Sequence, residues 1–291
     1  MSRRHLIMLL VLAAIWGASF MFIEIALRDL DPAMLILLRL GSAALVLGVY
    51  VPLSGESFAP LRPVLGPLAL MGLLNTALPF YAITWGQQYI DSGLAAILNA
   101  SAPLFTALLA LAVDQAQRVR GLRLAGLILG FGGIVALVGF EPEGGDRAVL
   151  GSVAVVAAAA LYSLGALYAG RRFVGMSPLL VSFGTLAWAT ILTLPTGVAT
   201  ASAFGWATLL SVLFLGIAAT AVAYLLYFGL IAGAGASRAI LVTYLVPSMA
   251  LVYGAVFLDE HVSALAIAGL VLVLVGVALG TRRARVASST S

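Results

Sequence analysis

In a chain made mostly of apolar runs, the side chains able to do chemistry are few, and most fall inside those runs. Glu24 and Arg39 are the ionisable ones well inside. A charge in hydrocarbon costs at least ~2.5–3.5 kcal/mol, so such a group pairs or faces water. The short turn between the two runs puts Glu24 and Arg39 at comparable depth. Either they pair and pin two helices, or Arg39 holds a substrate carboxylate and Glu24 a substrate ammonium or a coupling proton. Thr76, Phe80, Thr84 and Gln88 recur every four residues, which on a helix makes one slowly drifting stripe. Thr220, Tyr224 and Tyr227 share a face, as do Asn99, Pro103 and Thr106, and again Tyr244, Pro247, Ser248 and Leu251. Polar groups are costly in lipid, so these faces turn inward. The expected binding set is Thr76, Phe80, Asn99, Pro103, Tyr224, Tyr227, Tyr244, Pro247 and Ser248. Hydroxyls and amides beside aromatic rings suit a small metabolite with a large or aromatic side chain.

Plainer roles compete with these. A mid-run proline is often a tolerated kink whose freed carbonyls are met by neighbours. Thr, Ser and Asn between helices are often packing glue, and Gly126, Gly130, Gly132, Gly133, Gly269 and Gly276 allow close helix approach. Tyr162, Trp188 and Trp206 read as helix contacts or as interface belt residues. His5 and His261 lie outside the apolar runs and make no metal site.

The elements that position these residues follow from composition. The 291 residues are 63% hydrophobic and 9% charged, where a soluble globule is about a quarter charged. A membrane-spanning helix needs roughly 20 apolar residues, so the chain has room for about ten. Turn chemistry divides it into spans 1 to 10 at about 6–27, 33–52, 65–86, 93–113, 121–140, 149–170, 178–197, 207–229, 236–258 and 263–281. The first run is too long for a signal-peptide core and reads as a retained span. The fold class is all-α integral membrane, with little left for a soluble domain.

All 15 basic residues are Arg. With the N-terminus inside, Arg3, Arg4, Arg62, Arg118, Arg120, Arg123, Arg171, Arg172, Arg238, Arg282, Arg283 and Arg285 fall in cytoplasmic segments, and only Arg28 and Arg147 in outer loops. Positive residues fix topology, so both termini are expected in the cytoplasm. Asp29, Asp31, Asp91, Glu141, Glu143, Asp146, Asp259 and Glu260 then lie outside.

One pattern is written twice. Ala95 to Phe105, with Pro103, precedes a Gly-rich helix from Gly126 to Gly139; Ala239 to Met249, with Pro247, precedes another from Gly269 to Gly280. Superposing the prolines matches Thr76 with Thr220. Residues 1–140 and 149–291, joined by 141–148, are therefore expected to be two five-helix repeats. An odd number of spans makes the second enter from the opposite side, so the repeats are inverted, with a central cavity between them.

The chain resembles the drug/metabolite transporter superfamily and its EamA-type members. The resemblance rests on Trp16-Gly17-Ala18-Ser19-Phe20, Pro32 followed by Arg39, Pro103 and Pro247 in spans 4 and 9, and Asp259-Glu260 after span 9. It covers nearly the whole chain. It implies a ten-helix carrier exporting small metabolites, often amino acids, with the aromatic amino acid exporters as one branch. Two positions depart from the family pattern. Lys is common there where Glu24 stands, and the acidic pair after span 9 has only Asp114-Gln115-Ala116 as a counterpart after span 4.

These observations point to a secondary transporter in a bacterial inner membrane. It is expected to export amino acids, with large or aromatic side chains favoured, or similar small metabolites by alternating access and to work as a monomer, with the small-molecule substrate and the lipid bilayer as partners. Nucleic acid is not among the expected partners. No cofactor, metal or enzymatic activity is expected: the sequence holds no Gly-rich phosphate loop, metal-spaced His pair or nucleophile elbow. Efflux of cationic drugs is the alternative within transport, since Glu24 and the tyrosines would suit a cation. A non-transporting membrane scaffold is the alternative outside it.

Overall fold

Helix starts and stops are written locally. Asp31 caps span 2 by accepting the Ala33 N–H at 2.8 Å, with Pro32 in the first turn, where its missing N–H costs nothing. Span 8 ends at Gly235, whose φ of 87° lies in the region that favours glycine. The computed structural model describes residues 1–113, 121–140 and 145–280. Asp114-Gln115-Ala116, Arg118, Arg120, residues 141–144 and the tail with Arg282, Arg283 and Arg285 lie outside the described residues.

The described residues form helices and no strand. Seven helical stretches are long and apolar enough to cross a membrane, and three shorter apolar helices, Leu124–Gly139, Val242–Phe257 and Ala264–Gly280, accompany them. In chain order, span 1 is Arg3–Ala26, span 2 Pro32–Leu53, span 3 Ala59–Gly86, span 5 Leu122–Phe140, span 6 Asp146–Arg172, span 7 Pro178–Ala199, span 8 Trp206–Ala234 and span 10 Ala264–Gly280. Span 4 is two pieces, Ser92–Asn99 and Ala102–Val113. Span 9 is a short Ala236–Ala239 turn and then Val242–Phe257.

The packing follows small residues. Span 5 lies along span 10, and side chains built on Gly126, Gly130, Gly133, Gly269 or Gly276 would collide with neighbouring helices. Gly132 has open space in front of it, so close packing does not explain that one. Span 2 packs on span 7. Span 1 packs on spans 8 and 9, and span 6 on spans 3 and 4.

Two further spans change winding along their length. Span 3 runs through a π-helical segment at Leu73–Ala77, and span 8 through one at Phe214–Val222. Each π turn adds a residue to the winding, which shifts helix register and frees backbone groups. The span 8 segment lies against span 2 and the span 3 segment against span 7. Both contacts are close. A side chain on Gly216 would meet Ser42 Oγ and the Arg39 carbonyl, and one on Gly72 would meet the Thr185 carbonyl at 2.9 Å.

Candidate functional site

Arg39 is the centre of the clearest polar site. It is only 7% exposed. Its Nε donates to Thr220 Oγ1 at 3.2 Å, and its guanidinium carbon lies 4.2 Å from the centre of the Phe80 ring, a cation–π contact. The π turn of span 8 builds this arrangement: Thr220 Oγ1 donates to the Leu215 carbonyl five residues back at 2.8 Å, leaving its lone pairs for Arg39. Trp16 Nε1 donates to the neighbouring Ala219 carbonyl at 3.1 Å, across from span 1. The Tyr162 ring stands edge-on to Phe80 at 6.3 Å, and the phenols of Tyr162 and Tyr224 are within electrostatic reach of Arg39.

The expected Glu24–Arg39 pair does not form. Spans 1 and 2 do not lie side by side; span 8 packs against both and separates them. A short turn sets the depth of two residues but not the direction they face. Arg39 turns to spans 3 and 8. Glu24 lies on the side of Glu260, Asp91 and Arg28, and its Oε2 is buried without a hydrogen-bond partner.

The other expected residues are spread over several places. Phe80, Tyr224 and Thr220 join Arg39. Thr76 sits in the other π turn, fully buried, with no partner for its hydroxyl; Thr185 of span 7 is orphaned in the same way. Tyr227 lies tilted against Trp16, ring centres 5.4 Å apart, and belongs with spans 1 and 9. Tyr244 packs on the core cluster that contains span 4, and Tyr162 packs on both that cluster and the one around Phe80. Asn99 ends the first piece of span 4, with a buried, unpartnered Oδ1.

The prolines act differently from each other. Pro103 follows a true break at Ala100–Ser101, where Ser163 of span 6 donates to the Ala102 carbonyl at 2.7 Å. Pro247 lies buried within a continuous helix, beside the half-buried Ser248, and the break in span 9 comes earlier, at Ile240–Leu241. The stripe in span 3 also changes. Gln88 is exposed, and Gln87 turns inward to donate to the Phe20 carbonyl at 2.9 Å, because the helix has ended at Gly86.

Tyr162 and Thr185 are the residues that pattern reading missed. Tyr162 lies deep within its span, too far from either end for an interface belt, and that depth was the available signal. Thr185 carries no such signal. Trp206, 73% exposed at the start of span 8, does fit a belt role.

The two ends of the bundle differ. At the Glu260 end, the Glu260 carboxylate accepts the Ser92 and Gly93 N–H groups at 2.9 and 3.2 Å, satisfying donors at the start of span 4. Residues Ser92 to Leu98 are all buried there, against spans 1, 6 and 9. At the Arg171 end, the start of span 9 packs mainly on span 8, with Arg238 and Leu241 exposed. Two surface pockets, of about 460 and 380 Å³, lie beside Phe58 and Phe183 and beside Val135 and Val153. Neither touches the Arg39 site; an apolar surface groove on a bundle meant for lipid carries less chemical meaning than a buried cation.

The sequence profile of the EamA-like transporter family matches residues 3–139 and 149–282. A relative from Escherichia coli (strain K12), named "Probable amino-acid metabolite efflux pump", is 27% identical over 95% of this chain and 94% of its own. The "Uncharacterized inner membrane transporter YedA" of the same organism is 30% identical over 56% of this chain and 52% of its own. "Uncharacterized transporter YvbV" of Bacillus subtilis (strain 168) is 26% identical over 95% of this chain and 91% of its own. A solved crystal structure, 20% identical, superposes with a TM-score of 0.68 over 96% of this chain and 98% of that one, which establishes likeness of fold.

Proposed function

The chain belongs to the EamA-like transporter family, a family of membrane transporters rather than enzymes, and we propose that it exports amino acids with large or aromatic side chains, or similar small metabolites. The observation that carries this is the buried Arg39–Thr220 pair, ringed by Phe80, Tyr162 and Tyr224 deep within the bundle. A charge and aromatic faces in one place read a small molecule that is polar at one end and apolar at the other. The relative named for amino-acid metabolite efflux supports the substrate class.

The proposed mechanism is alternating access between two inverted five-span repeats, with both termini in the cytoplasm of a bacterium. The helix pairings support it, because they survive exchange of the halves. The 5–10 and 2–7 contacts map onto themselves, the contacts of span 1 with 8 and 9 map onto those of span 6 with 3 and 4, and each π turn meets the other half. In this orientation the Glu260 end faces out. The buried start of span 4 and its Glu260 cap then lie on the outer side, and the start of span 9, with Arg238 and Leu241 exposed, lies on the cytoplasmic side.

A second reading, efflux of organic cations, is favoured by the unpartnered Glu24 Oε2. Flux into and out of proteoliposomes decides between them. Saturable movement of phenylalanine, tryptophan, methionine or threonine supports amino-acid export. Movement of a lipophilic cation alone moves the substrate to the Glu24 side, and no flux of any class sinks transport as proposed.

A further inference from the structure

Among the described residues, Arg39 is a cation with no paired anion. Its Nε is committed to Thr220, and Phe80 covers one face of the guanidinium. The two Nη groups carry four more N–H donors. Among the described residues none of these is hydrogen-bonded, and no carboxylate is paired with Arg39. The Nη atoms are also absent from the fully enclosed, unpartnered atoms of the described residues, so they keep some accessible surface. The phenols of Tyr162 and Tyr224 are in the same condition, half-buried, unbonded among the described residues and within electrostatic reach of the guanidinium.

A buried guanidinium is costly unless its donors are met, and the Nη edge is the fork that fits two carboxylate oxygens. We propose that this edge receives the carboxylate of the transported molecule, with Tyr162 and Tyr224 as flanking hydroxyl donors. The site therefore selects monocarboxylates. One positive charge neutralises one carboxylate; a phosphoryl dianion would leave a buried negative charge uncompensated. The Phe80 and tyrosine rings take the apolar part of the same molecule. This deepens the export reading above and rests on it.

The test compares each amino acid that the reconstituted protein carries with its own primary amide, which keeps the side chain and ammonium but lacks the carboxylate. The amide is expected to compete at least about 100-fold more weakly, as a site built around a hydrogen-bonded group rejects the analogue without it. The matching acid without the amino group, 3-phenylpropionate for phenylalanine, is expected to compete. Arg39→Gln should narrow the acid-to-amide ratio, while Arg39→Lys keeps part of it. If Arg39→Gln does not fold, the analogue series on the unmodified protein still decides. Amides carried as well as acids would overturn the carboxylate anchor and leave amino-acid export standing. Flux of neither would overturn both.

Discussion

The two halves of the chain meet the same packing problem with different side chains. In each, a glycine lies four residues before a threonine at a π-helical turn pressed against a helix of the other half. Gly72 and Thr76 meet span 7; Gly216 and Thr220 meet span 2. Opposite Gly216 stands the Arg39 carbonyl, and opposite Gly72 the Thr185 carbonyl, so Arg39 and Thr185 hold equivalent places. Thr220 accepts from Arg39, whereas Thr76 and Thr185 are left with orphaned hydroxyls. The backbone is thus built opposite Thr185 without any charge. The fold needs the glycine and the π turn, not a guanidinium, so a buried Arg39 calls for an explanation outside folding.

The glycines should give the largest effect. Gly216→Val would drive a branched side chain into Ser42 and the Arg39 carbonyl. Overpacking of this kind typically costs about 1–3 kcal/mol and sometimes more. The expected outcome is little folded protein on size exclusion, with Gly72→Ala milder because it adds one methyl. A Gly216→Val protein as stable as the unmodified one would break the claim that both halves depend on this approach.

The threonines come next and separate the halves. Thr220→Val leaves the Arg39 Nε without its acceptor, a loss of about 1.5–3 kcal/mol for a bond to a charged group. Thr76→Val and Thr185→Val remove hydroxyls that bond nothing, so neutral or slightly raised thermal stability is expected. Denaturation in detergent measures all three. Equal losses at Thr76 and Thr220 would mean that Thr76 has a partner after all. Lost flux at Thr76→Val with stability intact would add Thr76 to the substrate path.

Much of this was legible in the sequence, and the rest failed for identifiable reasons. Turn residues such as Asp31-Pro32 mark helix ends by local chemistry, which a sequence carries directly, so the spans were readable. The match of Thr76 with Thr220 was readable because prolines anchored the alignment. The π turns were not, since nothing in Leu73–Ala77 or Phe214–Val222 marks a change of winding. That change decides which side chains meet. Helical periodicity was also carried past the end of span 3 at Gly86, and so placed Gln88 inside instead of Gln87. The Glu24–Arg39 pairing failed differently. Depth is a property of one chain segment, but facing depends on which helix intervenes, and span 8 intervenes through contacts made some 180 residues away in sequence.

Trp16 offers a smaller test of the same asymmetry. Its indole N–H meets the Ala219 carbonyl beside the span 8 π turn. Trp16→Phe keeps a ring against Tyr227 and removes the donor, so a loss of about 0.5–1.5 kcal/mol is expected. No comparable indole reaches the span 3 turn among the described hydrogen bonds. If Trp16→Phe alters flux far more than melting temperature, the indole belongs to the substrate path as well as to the turn.

The smallest effect is expected at the bundle ends, where the halves again differ. Asp29 Oδ2 accepts the Gly205 N–H at 2.9 Å and Thr208 Oγ1 at 2.6 Å. The matching tie in the other half is a single bond, Ser177 Oγ to Glu56 Oε1 at 2.9 Å. Hydrogen bonding from Thr208, and then from Gly205, holds the Asp29 carboxyl below the usual carboxylate range. A group with a depressed folded pKa contributes stability above its unfolded value, about 4, and loses it as pH falls through the folded value. The tie is therefore whole from about pH 5 upward and opens only in acid below about pH 4. Asp29→Asn should lower the melting temperature slightly at neutral pH, more than Glu56→Gln does, because exposed interactions are screened by water and salt. Melting curves of the three proteins at about pH 7, 5 and 3.5 check the sign. The gap between Asp29→Asn and the unmodified protein should narrow towards the acid end. A gap that holds constant would mean that Asp29 acts through shape, leaving no charge-dependent difference between the two ties.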